Sequence, residues 1–162
     1  DNNSSGTKNI EKDSISKTNL KNKQESKLEV NLNEYATPID IALTFINSYI
    51  IDSNKMKESV GYIEFVNSSN LTTNNFKSEL KKIVDKANKE DPEMGLDVDP
   101  IVPGNDYPEE GFEFETFDKK TNLIVVKGKN WADFKVTIKM VLEDNKWLVD
   151  GCGMVNIPED KQ

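Results

Sequence analysis

Residues 131–152 read W-A-D-F-K-V-T-I-K-M-V-L-E-D-N-K-W-L-V-D-G-C, and the fold is read outward from them. Phe134, Val136, Ile138, Met140 and Leu142 take every second position, with Lys135, Thr137, Lys139 and Glu143 between or after them. Side chains alternate faces along a strand, so this period predicts one apolar face and one wet face. Glu143-Asp144-Asn145-Lys146 then breaks the pattern with residues that tolerate a left-handed backbone, which predicts a hairpin turn. Residues 146–152 return as a second strand carrying Trp147, Leu148 and Val149. The rest of the chain is read as cover for the apolar face of this hairpin.

Upstream, F-E-F-E-T-F at 112–117 and residues 123–127 read as two further strands, with turns at 119–122 and 128–130. Before them, residues 91–111 hold four prolines and three glycines, an irregular connection long enough to suggest a functional loop. Two or three helices are expected ahead of that loop. Thr37 can cap the first, Pro38 suits its first position and Asp40 places charge at its positive end. Ile39, Ala42, Leu43, Ile46 and Ile50 follow at helical spacing and predict its buried stripe, ending near residues 52–54. Residues 55–66 are ambiguous: Val60, Ile63 and Val66 favour a short helix, whereas Gly61 weakens it and Tyr62 and Phe65 suit an extended segment. Thr72 or Thr73 opens another helix that runs to about Lys89, with Phe76, Leu80, Ile83, Val84 and Ala87 as its stripe. Pro92 stops it. Helices first and then four antiparallel strands is an α+β order. Residues 1–32 are polar and read as a flexible tether, 33–158 as one domain, and 159–162 as a frayed tail.

The composition removes several chemistries. The 162 residues include 21 Lys or Arg and 29 Asp or Glu, a net charge of −8, and every basic residue is Lys. An acidic chain without a guanidinium fork argues against a nucleic-acid partner. The chain has no His, which removes the imidazole base and the commonest transition-metal ligand. Cys152 is the one cysteine, so no internal disulfide forms, and without a basic neighbour it reads as an inert thiol. No cofactor is expected.

The segments 38–50 (P-I-D-I-A-L-T-F-I-N-S-Y-I), 71–80 (L-T-T-N-N-F-K-S-E-L), 97–108 (D-V-D-P-I-V-P-G-N-D-Y-P) and 146–151 (K-W-L-V-D-G) carry a resemblance. In them the chain resembles a family of bacterial envelope lipoproteins of Bacteroides type, with a nuclear-transport-factor-2-like or cystatin-like fold. The resemblance covers about residues 36–155, and Asn105 stands where the family usually has Gln. It implies a curved four-stranded sheet wrapped around a long helix, cone-shaped, with a pocket at the open end. It also implies export and an N-terminal lipid anchor, removed from this chain, as the sole link to a membrane. It supplies no activity.

For such a pocket, Tyr49, Tyr107, Trp131, Trp147 and Asp150 are the expected ligand-binding residues. Asp150 beside Tyr49, Tyr62 or Tyr107 would reproduce the carboxylate base and phenol donor of the superfamily's isomerases. Asp97, Asp99 and Asp106 are candidate oxygen ligands for calcium, although their spacing does not match a calcium-loop pattern and no metal is expected. The residues favour a non-enzymatic, envelope-tethered binding domain for a small molecule, glycan or protein, as monomer or dimer. One alternative is an interaction or immunity protein that receives a basic partner. The other is a proton-transfer isomerase or dehydratase.

Overall fold

A computed structural model describes residues 36–162. The tether read at residues 1–32, and the first residues of the domain as read from 33, lie outside the described residues. Within 36–162 the chain is α+β: three helices pack with a four-stranded antiparallel sheet that curls without closing. The helices are α1 (Pro38–Ser53), α2 (Gly61–Ser68) and α3 (Asn74–Glu90). The strands are β1 (Phe112–Asp118), β2 (Leu123–Gly128), β3 (Lys135–Glu143) and β4 (Lys146–Cys152), in the spatial order β1-β2-β3-β4.

The local signals explain where these elements begin and turn. Thr37 and Asp40 form a reciprocal capping box: the Asp40 N–H donates to Thr37 Oγ1 at 3.2 Å and the Thr37 N–H donates to Asp40 Oδ2 at 3.3 Å. Gly61 opens α2 with φ +79°, a conformation that suits its missing Cβ. A 3-10 turn at Met56–Glu58 precedes it. Thr73 caps α3 by accepting the Phe76 N–H at 3.0 Å. Between β3 and β4, Asp144 and Asn145 both lie in the left-handed region, with φ 50° and 63°, as a two-residue hairpin turn demands.

Phe112 of β1, Ile124 and Val126 of β2, Val136, Ile138 and Met140 of β3, and Val149 and Cys152 of β4 are all buried. Ile41, Ala42, Phe45, Ile46, Tyr49 and Ile50 of α1 join them in one core, extended by Val66 of α2 and by Phe76 and Leu80 of α3. The buried stripe of α1 is turned relative to the one expected. Phe45 and Tyr49 are inside, whereas Ile39 and Leu43 are only half-buried.

Both sheet edges are engaged. On the β4 side, the Val149 N–H donates to the Leu71 carbonyl at 2.7 Å and its carbonyl accepts the Thr73 N–H at 3.0 Å. On the β1 side, the Asn47 carboxamide accepts the Phe112 N–H at 2.7 Å and donates to the Phe112 carbonyl at 3.1 Å. Such pairing blunts an edge that would otherwise recruit another strand.

Two local readings change. Thr137, expected on the wet face, is buried, and its hydroxyl donates to the Lys161 carbonyl at 2.6 Å. Residues 159–162, expected to fray, instead include a 3-10 turn (Glu159–Lys161), held by that bond.

Candidate functional site

The space expected between α1 and the sheet is filled. Phe45, Ile46 and Tyr49 project into it, and Phe45 makes aromatic contacts with Phe65 at 5.8 Å and Phe76 at 5.9 Å between ring centres. Tyr49 sits in this core with its ring 5.2 Å from that of Phe65, and its hydroxyl donates to Asp99. Burial, followed by the negative charge of Asp99, pushes the phenol well above its ordinary value, so Tyr49 stays protonated. Asp99 also accepts the Ile101 and Val102 N–H groups at 2.8 and 3.1 Å, which fixes the loop to α1.

Asp150 is held elsewhere. Lys139 pairs with Gly151 and Met140 with Val149, so Asp150 is the extra residue of a bulge in β4. Its carboxylate accepts from Thr73 Oγ1 at 2.7 Å, Asn75 Nδ2 at 3.3 Å and Asn156 Nδ2 at 3.1 Å, with Lys139 Nζ at 3.7 Å. No tyrosine is among these partners. The Asp–Tyr pair of the isomerase reading is therefore not formed at Asp150. Trp147 lies half-buried at the edge of the core, opposite Leu142 across the hairpin. Cys152 is fully buried, and burial pushes its thiol well up.

Two of the expected residues do meet. Tyr107 and Trp131 line a hollow of about 230 Å³ with Asp106, Pro108, Glu109, Glu110 and Asn130. Its loops are fixed from several sides. Pro108 packs so closely on Gly128 that a Cβ there would stand 2.7 Å from Pro108 Cγ. Gly111, at φ +93°, donates its N–H to the Pro108 carbonyl and accepts the Lys129 N–H, each at 3.0 Å. Tyr107 donates to Asn54 Oδ1 at 3.1 Å, and Asn54 donates to the Glu109 carbonyl at 2.9 Å, tying the loop to the end of α1. Trp131 stands edge-on to Phe134 at 5.0 Å, and Phe134 to Phe112 at 6.0 Å, an aromatic row that anchors the indole to the core. The indole remains 44% exposed.

The hollow is electronegative. Asp106, Glu109 and Glu110 are exposed and have no ion-pair partner among the described residues. Desolvation first, and then the charges of Glu109 and Asp106, raise the Tyr107 phenol above its ordinary value. Aromatic faces beside uncompensated carboxylates attract a cation by its charge and by the ring quadrupole. Asp106 belongs to this rim, Asp97 is exposed, and Asp99 belongs to the core-side bonds described above. Among the described residues no group of three or more Asp, Glu, Cys or His is placed to hold a metal.

A larger hollow, about 480 Å³, lies between α2 and α3 and includes Ile63, Leu80 and Val84 in its lining. The sequence reading missed it, because these residues carry the same helical spacing as a core stripe. No family model matches the chain, and no curated protein or solved structure matches it.

Proposed function

We propose that the protein is a non-enzymatic binding domain held at the cell envelope by its N-terminal segment, and that its rim hollow receives a basic group of a partner. The observation that carries this reading is the set of three carboxylates around Trp131 and Tyr107, none of them ion-paired among the described residues. The fixed backbone around the hollow adds to it, since a preformed site loses little freedom on binding. The net charge of −8 would speed encounter with a basic partner. A kinship with nuclear-transport-factor-2-like envelope lipoproteins is part of the same proposal and rests on the sequence segments quoted above.

A second reading, a neutral glycan stacked on the exposed indole with the carboxylates and Asn130 as hydrogen-bond partners, is favoured by the open face of Trp131. Titrations with tetralysine and with a neutral oligosaccharide, followed by tryptophan fluorescence, separate the two. The basic-partner reading expects tetralysine binding that weakens about tenfold in Glu109→Gln/Glu110→Gln and in Trp131→Ala. Sugar binding indifferent to the carboxylate changes, with no response to tetralysine, would replace it with the glycan reading.

A further inference from the structure

We infer that the groove between α2 and α3 is a second binding site, for a monomeric long-chain carboxylate whose acyl chain lies on Ile63, Leu80 and Val84 and whose head group meets Lys77. The groove's volume, about 480 Å³, falls in the range of sites that enclose small ligands. Its floor is apolar and partly uncovered: Ile63 is 46% exposed. Only Phe76 and Leu80 of α3 are buried, so the later turns of that helix leave Ile83 and Val84 half-covered.

Charge selects the head group. Lys81 pairs with Asp85 one turn along α3, whereas Lys77, half-buried on the same wall, has no ion-pair partner among the described residues. The lining thus carries a net positive charge on a chain whose total is −8. A carboxylate that reaches this ammonium makes a charge-assisted contact while its chain lies on the apolar wall. A cationic amphiphile of the same length meets Lys77 unfavourably, and a neutral one makes only the chain contacts.

The test is calorimetric titration of the full chain with dodecanoate below its micelle concentration, beside dodecyltrimethylammonium. In Trp131→Ala, where the rim draws the quaternary ammonium less, dodecanoate is expected to bind about tenfold more tightly than the cation. Lys77→Glu is expected to weaken dodecanoate about tenfold and to strengthen the cation at the groove, while Trp131→Ala, which removes the cation's attraction to the rim, weakens the cation alone. Lys77→Gln, which keeps much of the aliphatic stem, gives the same direction of loss if Lys77→Glu impairs folding. The inference is overturned by equal affinity for the two amphiphiles in Trp131→Ala, or by dodecanoate binding that survives both Lys77 changes. It is also overturned if the protein floats with anionic vesicles but takes up no monomeric dodecanoate. A dimer dispersed by Ile63→Ser, without dodecanoate binding, would assign the groove to a second copy instead.

Discussion

Asp150 joins three parts of the chain through one side chain. Its carboxylate takes the hydroxyl of Thr73, which caps α3, and the amide of Asn156 in the segment after β4, while Lys139 of β3 stands beside it. Removing it leaves the buried Thr73 hydroxyl without this acceptor and Lys139 without its counter-charge, which costs more than the bonds themselves contribute. Asp150→Ala is therefore expected to lower stability by about 2–4 kcal/mol, read from urea unfolding, with Asp150→Asn between it and the parent. The resemblance placed Asp150 in a pocket, as a carboxylate beside a tyrosine, whereas an ordinary strand-end polar residue was the plainer reading of W-L-V-D-G. Nothing in that spacing announces a bulge. Asp52 gives the pH counterpart. Burial alone pushes its carboxyl up, but the Ser59 hydroxyl, the Val60 N–H, Lys55 and the Gly61 N–H outweigh it, so it titrates below the ordinary 3.8. A carboxyl lowered by folding contributes stability that is complete above its unfolded value and is lost as pH falls through the folded one. Urea midpoints measured from about pH 6 down to about pH 3 should fall, and Asp52→Asn should flatten the part of that fall below about pH 4.

Among the elements, those defined by local chemistry were the legible ones. Thr37-Pro38-Ile39-Asp40 marks α1 because cap, proline and first-turn acid act within four residues, and Asp144-Asn145 marks the hairpin because the turn needs a positive φ at both positions. Strand existence and order followed from the period of two. Burial depended on long-range partners and was less legible. Thr137 looked solvent-facing until the chain end, 24 residues later, took its hydroxyl. The stripe of α1 turned inward by Phe45 and Tyr49 because the sheet presents Ile124, Ile138 and Val149 to that side, and this filled the hollow the sequence had led one to expect. The element that shapes the rim is the loop before β1. At Gly111 a Cβ would stand 2.6 Å from Asn47 Oδ1, the atom that accepts the Phe112 N–H. Gly111→Ala therefore strains a left-handed backbone and pushes the Asn47 clamp away from β1 together. It is expected to cost about 1–3 kcal/mol and to weaken tetralysine at the rim, read by unfolding and by fluorescence titration.

At the scale of the whole molecule the charge is uneven in a way that composition alone concealed. Residues 1–35 hold six lysines and six acids, so the entire excess of −8 belongs to residues 36–162. The candidate sites were harder to read because each is assembled from distant segments. The rim joins residues 106–110 to 130–131, and the groove joins Ile63 to a wall at 77–85. Aromatic identity made Tyr107 and Trp131 candidates, but their meeting depends on how the loop docks on Gly128. The two hollows should answer salt differently. A basic ligand approaching the rim is attracted both by the local carboxylates and by the field of the domain, and both attractions are screened over a Debye length of about 10 Å at 0.1 M salt. Stopped-flow association of tetralysine is expected to slow about tenfold between about 0.02 M and 0.2 M sodium chloride, with a much smaller change in its dissociation rate. For dodecanoate the terms oppose each other: salt weakens the pull of Lys77 but also relieves repulsion by the acidic domain, and apolar contact with Ile63 and Val84 is little altered. Its affinity should move by less than about twofold over the same range. A steep loss for dodecanoate as well would show that charge rather than apolar contact holds it, and the assignment of its acyl chain to the groove would fail.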